Sequence, residues 1–148
     1  MHIRPATDTD IPQLVEVWER GSLIAHDFIP ASYWRGQREA MAEQYLPAAE
    51  TYVIVGSDGE SPAGFLSLMD SRVAALFVEP EAQGRGLGRE LLRHAMTLRD
   101  SLDLQVYQKN ETAVQFYKRQ GFVVTDNCTD PNTGEAEYVM AWSQQASG

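Results

Sequence analysis

The alternation of apolar and polar positions divides the chain into short strands and amphipathic helices. His2, Ile3, Arg4 and Pro5 open it as a short strand that ends at the proline. Thr7, Asp8, Thr9 and Asp10 are helix-capping residues, and Thr7 with Asp10 resembles a capping box. Ile11, Leu14, Val15 and Trp18 then recur at i, i+3, i+4 and i+7, which predicts a helix with Pro12 accommodated in its first turn. A loop over residues 21–30, containing His26, Asp27, Phe28 and Ile29, leads to a second helix over residues 31–46. That helix turns Trp34, Met41 and Tyr45 to the core and stops at Pro47. Residues 52–55 and 63–69 pair as strands about a turn at Ser57, Asp58, Gly59 and Glu60, where Asp-Gly is the hairpin signal. Asp70, Ser71 and Arg72 turn the chain into residues 73–78, whose near-continuous apolar run is expected of a central strand covered on both faces.

Beyond that strand, Leu87, Leu91, Leu92, Ala95 and Leu98 make one helical stripe, with Glu90, Arg93 and His94 on the wet side. Leu102, Leu104 and Val106 alternate as a strand. Asn110 caps a helix carrying Ala113, Val114, Phe116 and Tyr117, and Gly121 ends it. Strands follow at residues 122–124 and 138–142, separated by a loop over residues 129–134; the polar tail, residues 143–148, is expected to fray. The order β-α-α-β-β-β-α-β-α-β-β predicts a mixed α/β fold, helices packed on a mainly antiparallel sheet with one parallel step beside the helix that starts near Gly86. No repeat or linker interrupts it, so residues 1–148 are expected to form a single domain.

At 148 residues the chain can bury roughly two-thirds of its unfolded surface. No apolar run approaches the ~20 residues of a membrane span, so no membrane partner is expected. One cysteine, Cys128, excludes an internal disulfide framework, and the N-terminus has no apolar stretch of the export kind, so a cytoplasmic location is expected. The net charge of −9 argues against nucleic acid as a partner, including aminoacyl-tRNA, and attracts cationic partners such as amines, polyamines or basic protein surfaces. Acidity also serves plain solubility. Against this background Arg85, Arg89 and Lys109 form a locally basic patch suited to a phosphate-bearing cofactor.

That patch surrounds Gln83, Gly84, Arg85, Gly86, Leu87, Gly88 and Arg89. The three glycines let successive N–H groups curl around one anion, and a helix beginning near Gly86 adds unpaired donors and the positive end of its dipole. No Lys-Ser/Thr follows, so it is not a P-loop. Arg89 stands where a dinucleotide fingerprint needs its third glycine. The glycines alone leave an ordinary Gly-rich turn equally open.

Two blocks go further. Gln83-x-x-Gly86-x-Gly88 after an apolar strand resembles the acetyl-coenzyme A signature of the GCN5-related N-acetyltransferase (GNAT) superfamily. Asn110-x-x-Ala113-x-x-Phe116-Tyr117-x-x-x-Gly121-Phe122 follows at the expected distance. His26-x-Phe28-Ile29, Tyr33-Trp34, Gly64-Phe65, Tyr107-Gln108-Lys109-Asn110 and Met140-x-Trp142 are similar to a YiaC/YjaB-like bacterial subgroup, some of whose members acetylate protein lysines. The resemblance implies a GNAT-type sheet with helices on both faces and splayed central strands, with a bulge as a common device for the departure. It also implies acetyl-CoA as co-substrate and a primary amine as acceptor, either a protein lysine or an amine-bearing small molecule such as an amino acid or antibiotic. A coenzyme A-binding regulatory domain without catalysis is the reading from another class, and retention of Tyr117 and Asn110 argues against it.

Residue by residue, the resemblance implies that backbone groups of Leu76, Phe77 and Val78 pair with the pantetheine arm. Those of Gln83, Gly84, Arg85, Gly86, Leu87, Gly88 and Arg89 cradle the pyrophosphate, so that a side chain added at Gly86 or Gly88 obstructs the approach. A strand N–H at Phe77 or Val78 polarises the thioester carbonyl. Asn110 orients coenzyme A or the strand–helix junction. Tyr117 donates a proton to the departing thiolate, which a phenol of pKa ~10 can do for a thiolate of about 8.5. Histone-type members carry a glutamate where this chain has Arg72, so the base is open: His26 through a water relay is one candidate, with Asp27, Glu79, Asp130 and Glu137 as others. Cys128 has no neighbouring histidine in sequence, which favours direct transfer over an acyl-cysteine. The acceptor slot is expected from His26, Phe28, Trp34 and Tyr138. No metal is expected, and the residues set no oligomeric state.

Overall fold

The structure is a computed structural model that describes residues 2–56 and 61–144. The expected turn at residues 57–60 and the end of the tail, residues 145–148, lie outside the described residues. Among those described, seven strands form one sheet: β1 (His2–Pro5), β2 (Glu50–Val55), β3 (Pro62–Met69), β4 (Arg72–Val78), β5 (Ser101–Tyr107), β6 (Val123–Thr129) and β7 (Ala136–Ser143). Their order is β1-β2-β3-β4-β5-β7-β6, antiparallel throughout except between β4 and β5. The helices are α1 (Ile11–Ala25), α2 (Ala31–Gly36), the short turns α3 (Arg38–Ala40) and α4 (Leu46–Ala48), α5 (Leu87–Leu98) and α6 (Glu111–Arg119). The mixed, mainly antiparallel fold and its single parallel step are as the residue pattern predicts.

Alternation along the strands builds two cores. Leu66, Leu68, Leu102, Leu104, Val106 and Met140 face α5 and α6 with Tyr117 and Phe122. Val53, Val55 and Phe65 face α1 and α2 with Leu14, Val17, Trp18 and Trp34. The Asp10 carboxylate accepts the Thr7 N–H at 2.8 Å, closing the predicted box, and also binds Arg4 through two guanidinium nitrogens at 2.7 and 3.0 Å. These contacts, the Arg4 pair foremost, hold its pKa down at about 2.

Three expectations change. The single helix over residues 31–46 is broken: α2 ends at Gly36, and Met41–Tyr45 form a π turn before α4, which carries the helical run one residue past Pro47. Pro47 has no N–H to return to the preceding turn, and the wider π spacing swings Tyr45 off the face it would share with Met41. Tyr45 is 56% exposed and is not core. His94 is not on the wet side either; its ring meets Tyr52 edge to face at 4.7 Å.

The third concerns β4. It is central in the sheet, but from Ala74 onward its residues are half-buried or exposed rather than covered. β4 and β5 are in register only at Arg72↔Asp103, where the Asp103 N–H also donates to the Ser71 carbonyl at 3.0 Å. On its other side the ladder with β3 skips Ala74, so one extra residue bends β4 away. Beyond Arg72 the two parallel strands splay, as the resemblance implies.

Candidate active site

The splay leaves one edge of β4 without a strand beside it, and alternation decides which groups lie along that edge. The Glu79 N–H donates to the Ala63 carbonyl at 2.7 Å, so Glu79 faces β3. Two residues back, Phe77 sits opposite Phe65 and faces β3 as well. Leu76 and Val78 therefore direct their N–H and C=O groups to the β5 side. The Val78 carbonyl accepts from Gln83 Nε2 at 3.3 Å, as that orientation requires. Of the three β4 residues expected to present backbone groups to the splay, Leu76 and Val78 do so. Phe77 does not: its backbone is turned to β3, and its ring stacks on Phe65 on the α1 face.

The loop after β4 makes a 3-10 turn at Pro80–Ala82 and then reverses hand twice. Gly84 has φ +84° and Gly86 φ +80°, both left-handed, and Gly86 is the N-cap of α5. Alternating hand turns successive N–H groups to one side. Gly86 has no side chain to cap the helix, so the first-turn N–H groups of Leu87, Gly88 and Arg89 have no intrahelical partner. Arg85 and Arg89 are exposed, and neither makes an ion pair among the described residues. This donor set fits a diphosphate. Gly88 differs from the other two: it lies within α5, and a Cβ there meets the Phe116 ring at 3.6 Å, an ordinary contact. Within the protein itself, a Cβ at Gly88 has room. Lys109 differs from the two arginines in having a carboxylate partner: its ammonium lies 3.0 Å from Glu135.

Asn110 joins two of the expected site elements. Its Oδ1 accepts the Ala113 N–H at 3.3 Å and caps α6, which fixes its amide so that Nδ2 points to His26 Nε2 at 3.2 Å. Nδ2 can only donate, so Nε2 accepts and the ring proton lies on Nδ1, which is buried without a partner. Burial lowers the His26 pKa to about 4. A neutral imidazole whose accepting nitrogen is already engaged is a poor general base, and the geometry makes His26 a tie between the end of α1 and the start of α6.

Tyr117 lies one helical stretch beyond Asn110 on α6, edge to face with Phe116 at 5.3 Å and Phe122 at 5.6 Å. Burial alone pushes its phenol above the ordinary tyrosine range, so it stays protonated.

The expected acceptor residues divide between the faces of the sheet. His26, Phe28 and Trp34 come together, with His26 5.3 Å from the Trp34 ring and 6.0 Å from that of Phe28. Tyr138 does not join them. It pairs with Val106, so its ring lies on the α5/α6 face, while the adjacent pair Tyr107↔Glu137 lies on the α1 face. Tyr107 takes the expected place of Tyr138, 5.0 Å from His26 and 5.6 Å from Phe28, with its hydroxyl donating to Asp130 at 2.5 Å. Counting parity from an assumed pairing of β5 with β7 is the signal that would have found it.

The remaining base candidates are engaged to different degrees. Glu79 Oε1 is bound by Gln13 at 2.9 Å and Arg20 at 2.5 Å. Glu137 lies on the acceptor face, and burial, then the Asp130 charge, raises its pKa. Arg72 is spent on Asp103 at 2.7 Å. Burial and Glu137 raise the Cys128 thiol, which disfavours a thiolate nucleophile.

Known proteins resemble this chain in sequence and in fold. Residues 29–133 match the family described as "Acetyltransferase (GNAT) domain". The chain is 36% identical over 141 residues to the Escherichia coli protein "Peptidyl-lysine N-acetyltransferase YiaC", covering 95% of each. It is 37% identical over 123 residues to the E. coli "Peptidyl-lysine N-acetyltransferase YjaB", covering 83% of this chain and 82% of that one. The solution structure of apo-form YjaB from E. coli superposes with a TM-score of 0.85 at 32% identity, covering 95% of this chain and 96% of that one.

Proposed function

The chain belongs to the acetyltransferase (GNAT) family, and from that premise we propose that it acetylates the ε-amine of lysine side chains in proteins. It is an acetyl-CoA-dependent N-acetyltransferase. The observation that carries the lysine acceptor is the similarity to YiaC along 95% of both chains. The acidic surface of the chain suits a cationic acceptor.

Acetyl-CoA supplies an acyl thioester, which leaves the protein to hold it, polarise its carbonyl, take a proton from the amine and return one to sulfur. The N–H groups from Gln83 to Arg89 hold the diphosphate, with Arg85 and Arg89 adding charge. Leu76 and Val78 hold the pantetheine arm along β4. The cradle follows Val78, so the thioester end lies back toward Leu76, and the Leu76 N–H is the better placed donor to the carbonyl oxygen. One such donor is worth about 3–4 kcal/mol in the transition state. Tyr117, protonated at neutral pH, gives its proton to the thiolate. Glu137, the carboxylate raised on the acceptor face, takes the proton of the incoming ammonium. His26 positions Asn110, and Asn110 the start of α6.

The test is thiol release from acetyl-CoA in the presence of a peptide whose only free amine is a lysine side chain, with the product identified by mass spectrometry. Acetyl-lysine is the expected product. Turnover confined to free α-amines or small amines overturns the lysine reading.

A further inference from the structure

The ammonium of Lys109 is already housed in a manner that a lysine acceptor would need. Its Nζ lies 5.5 Å from the centroid of the Phe28 ring and 3.0 Å from Glu135 Oε1. An aromatic face on one side and a carboxylate on the other is a complete recognition unit for a primary ammonium. The three residues come from separate parts of the chain: Phe28 from the loop after α1, Lys109 from the turn after β5, and Glu135 from the loop before β7. The unit is continuous with the acceptor face, because Phe28 stands edge to face with both Tyr107 and His26. The hairpin carrying Glu135 also carries Asp130, which accepts the Tyr107 hydroxyl, and the Asp130 N–H donates to the Glu135 carbonyl at 2.9 Å. The Glu135 carboxylate is mostly covered, at 21% side-chain exposure, whereas Lys109 is 61% exposed and free to swing out.

We propose that Phe28 and Glu135 form the subsite that recognises the ammonium of the acceptor lysine, and that Lys109 is a tethered competitor which the acceptor displaces. This rests on the lysine reading above. The subsite selects a flexible primary ammonium over a neutral side chain. Lys109 keeps the Glu135 carboxylate paired between turnovers and weakens apparent acceptor affinity by the cost of leaving. An exposed ion pair and a cation–π contact together set that cost at about two- to tenfold in binding.

The experiment measures KM for the lysyl peptide in the wild-type chain, Lys109→Met and the double variants Lys109→Met/Phe28→Leu and Lys109→Met/Glu135→Gln, with melting temperatures as a check of folding. Lys109→Met is expected to lower KM about two- to tenfold with kcat little changed. Adding either Glu135→Gln or Phe28→Leu to Lys109→Met is expected to remove that gain. An unchanged or higher KM in a folded Lys109→Met chain that acetylates the peptide overturns the subsite alone. Absence of peptide acetylation in every chain, with the melting temperature still raised by acetyl-CoA, overturns the lysine reading and this proposal with it.

Discussion

His26 and Asn110 meet at 3.2 Å, and the meeting sets the orientation of one and the tautomer of the other: the α6 cap holds the Asn110 amide donor-outward, and His26 answers with Nε2 as acceptor. Asn110→Asp separates the two roles. A carboxylate still accepts the Ala113 N–H and keeps the cap, but it faces Nε2 with an oxygen. His26 then gains from holding a proton, and its pKa should climb from about 4 toward or above the ordinary 6.5. Histidine NMR titration of both chains reads this directly; an unmoved titration means that Asn110 does not set the state of His26.

The same depressed pKa makes acid selectively damaging. Unfolded His26 binds its proton near pH 6.5 and folded His26 only near about 4, so between those values the unfolded chain holds more protons. The stabilisation is present above pH 6.5 and is lost as pH falls toward 4, by on the order of 3 kcal/mol. His26→Gln, which can still accept from Asn110, should flatten this part of the wild-type curve in urea unfolding from pH 7.5 to 4. Asp10, with its pKa at about 2, acts lower down and does not overlap the window.

Tyr117→Phe should separate chemistry from folding. The ring keeps its contacts with Phe116 and Phe122, so melting temperature and acetyl-CoA binding should barely move. Turnover should fall on the order of 100-fold if the phenol supplies the proton. Turnover within about twofold of wild type would return Tyr117 to a packing role.

The loop glycines should not behave alike. Gly86→Ala forces a side chain into φ +80°, at a cost of about 1–2 kcal/mol, and should weaken acetyl-CoA binding as the cradle relaxes. Gly88→Ala sits in helical backbone with room beside Phe116 and should be neutral or stabilising by up to about 1 kcal/mol. Urea unfolding and the ligand-induced melting shift, measured on both, decide the matter; equal losses would mean that backbone hand is not what the loop requires.

The sequence made the local structure legible where a residue's role depends on its chain neighbours. The Thr7–Asp10 box, the buried alternation of Leu102, Leu104 and Val106, and the cap at Asn110 all appear where the pattern puts them. It misled where a role depends on a partner far along the chain. Residues 73–78 announce two apolar faces, but apolarity says nothing of whether a strand runs alongside. Tyr138 and Tyr107 are both aromatic strand residues near the site, and only the pairing Val106↔Tyr138 reveals that they face opposite ways. Lys109 shares its charge with Arg85 and Arg89, but its carboxylate partner lies 26 positions later and is visible only in the fold. The splay follows from the family resemblance alone, since no local rule predicts that two parallel neighbours share a single rung.

That single rung has a consequence for how the backbone exchanges its protons with solvent. β4 lies in the middle of the sheet, yet beyond Arg72 its residues alternate between a paired side and an open side. Deuterium should enter at Leu76 and Val78 orders of magnitude sooner than at Phe77 and Glu79, whose N–H groups are turned to β3. A strand with three neighbours to its left and three to its right thus ages, amide by amide, as half interior and half border.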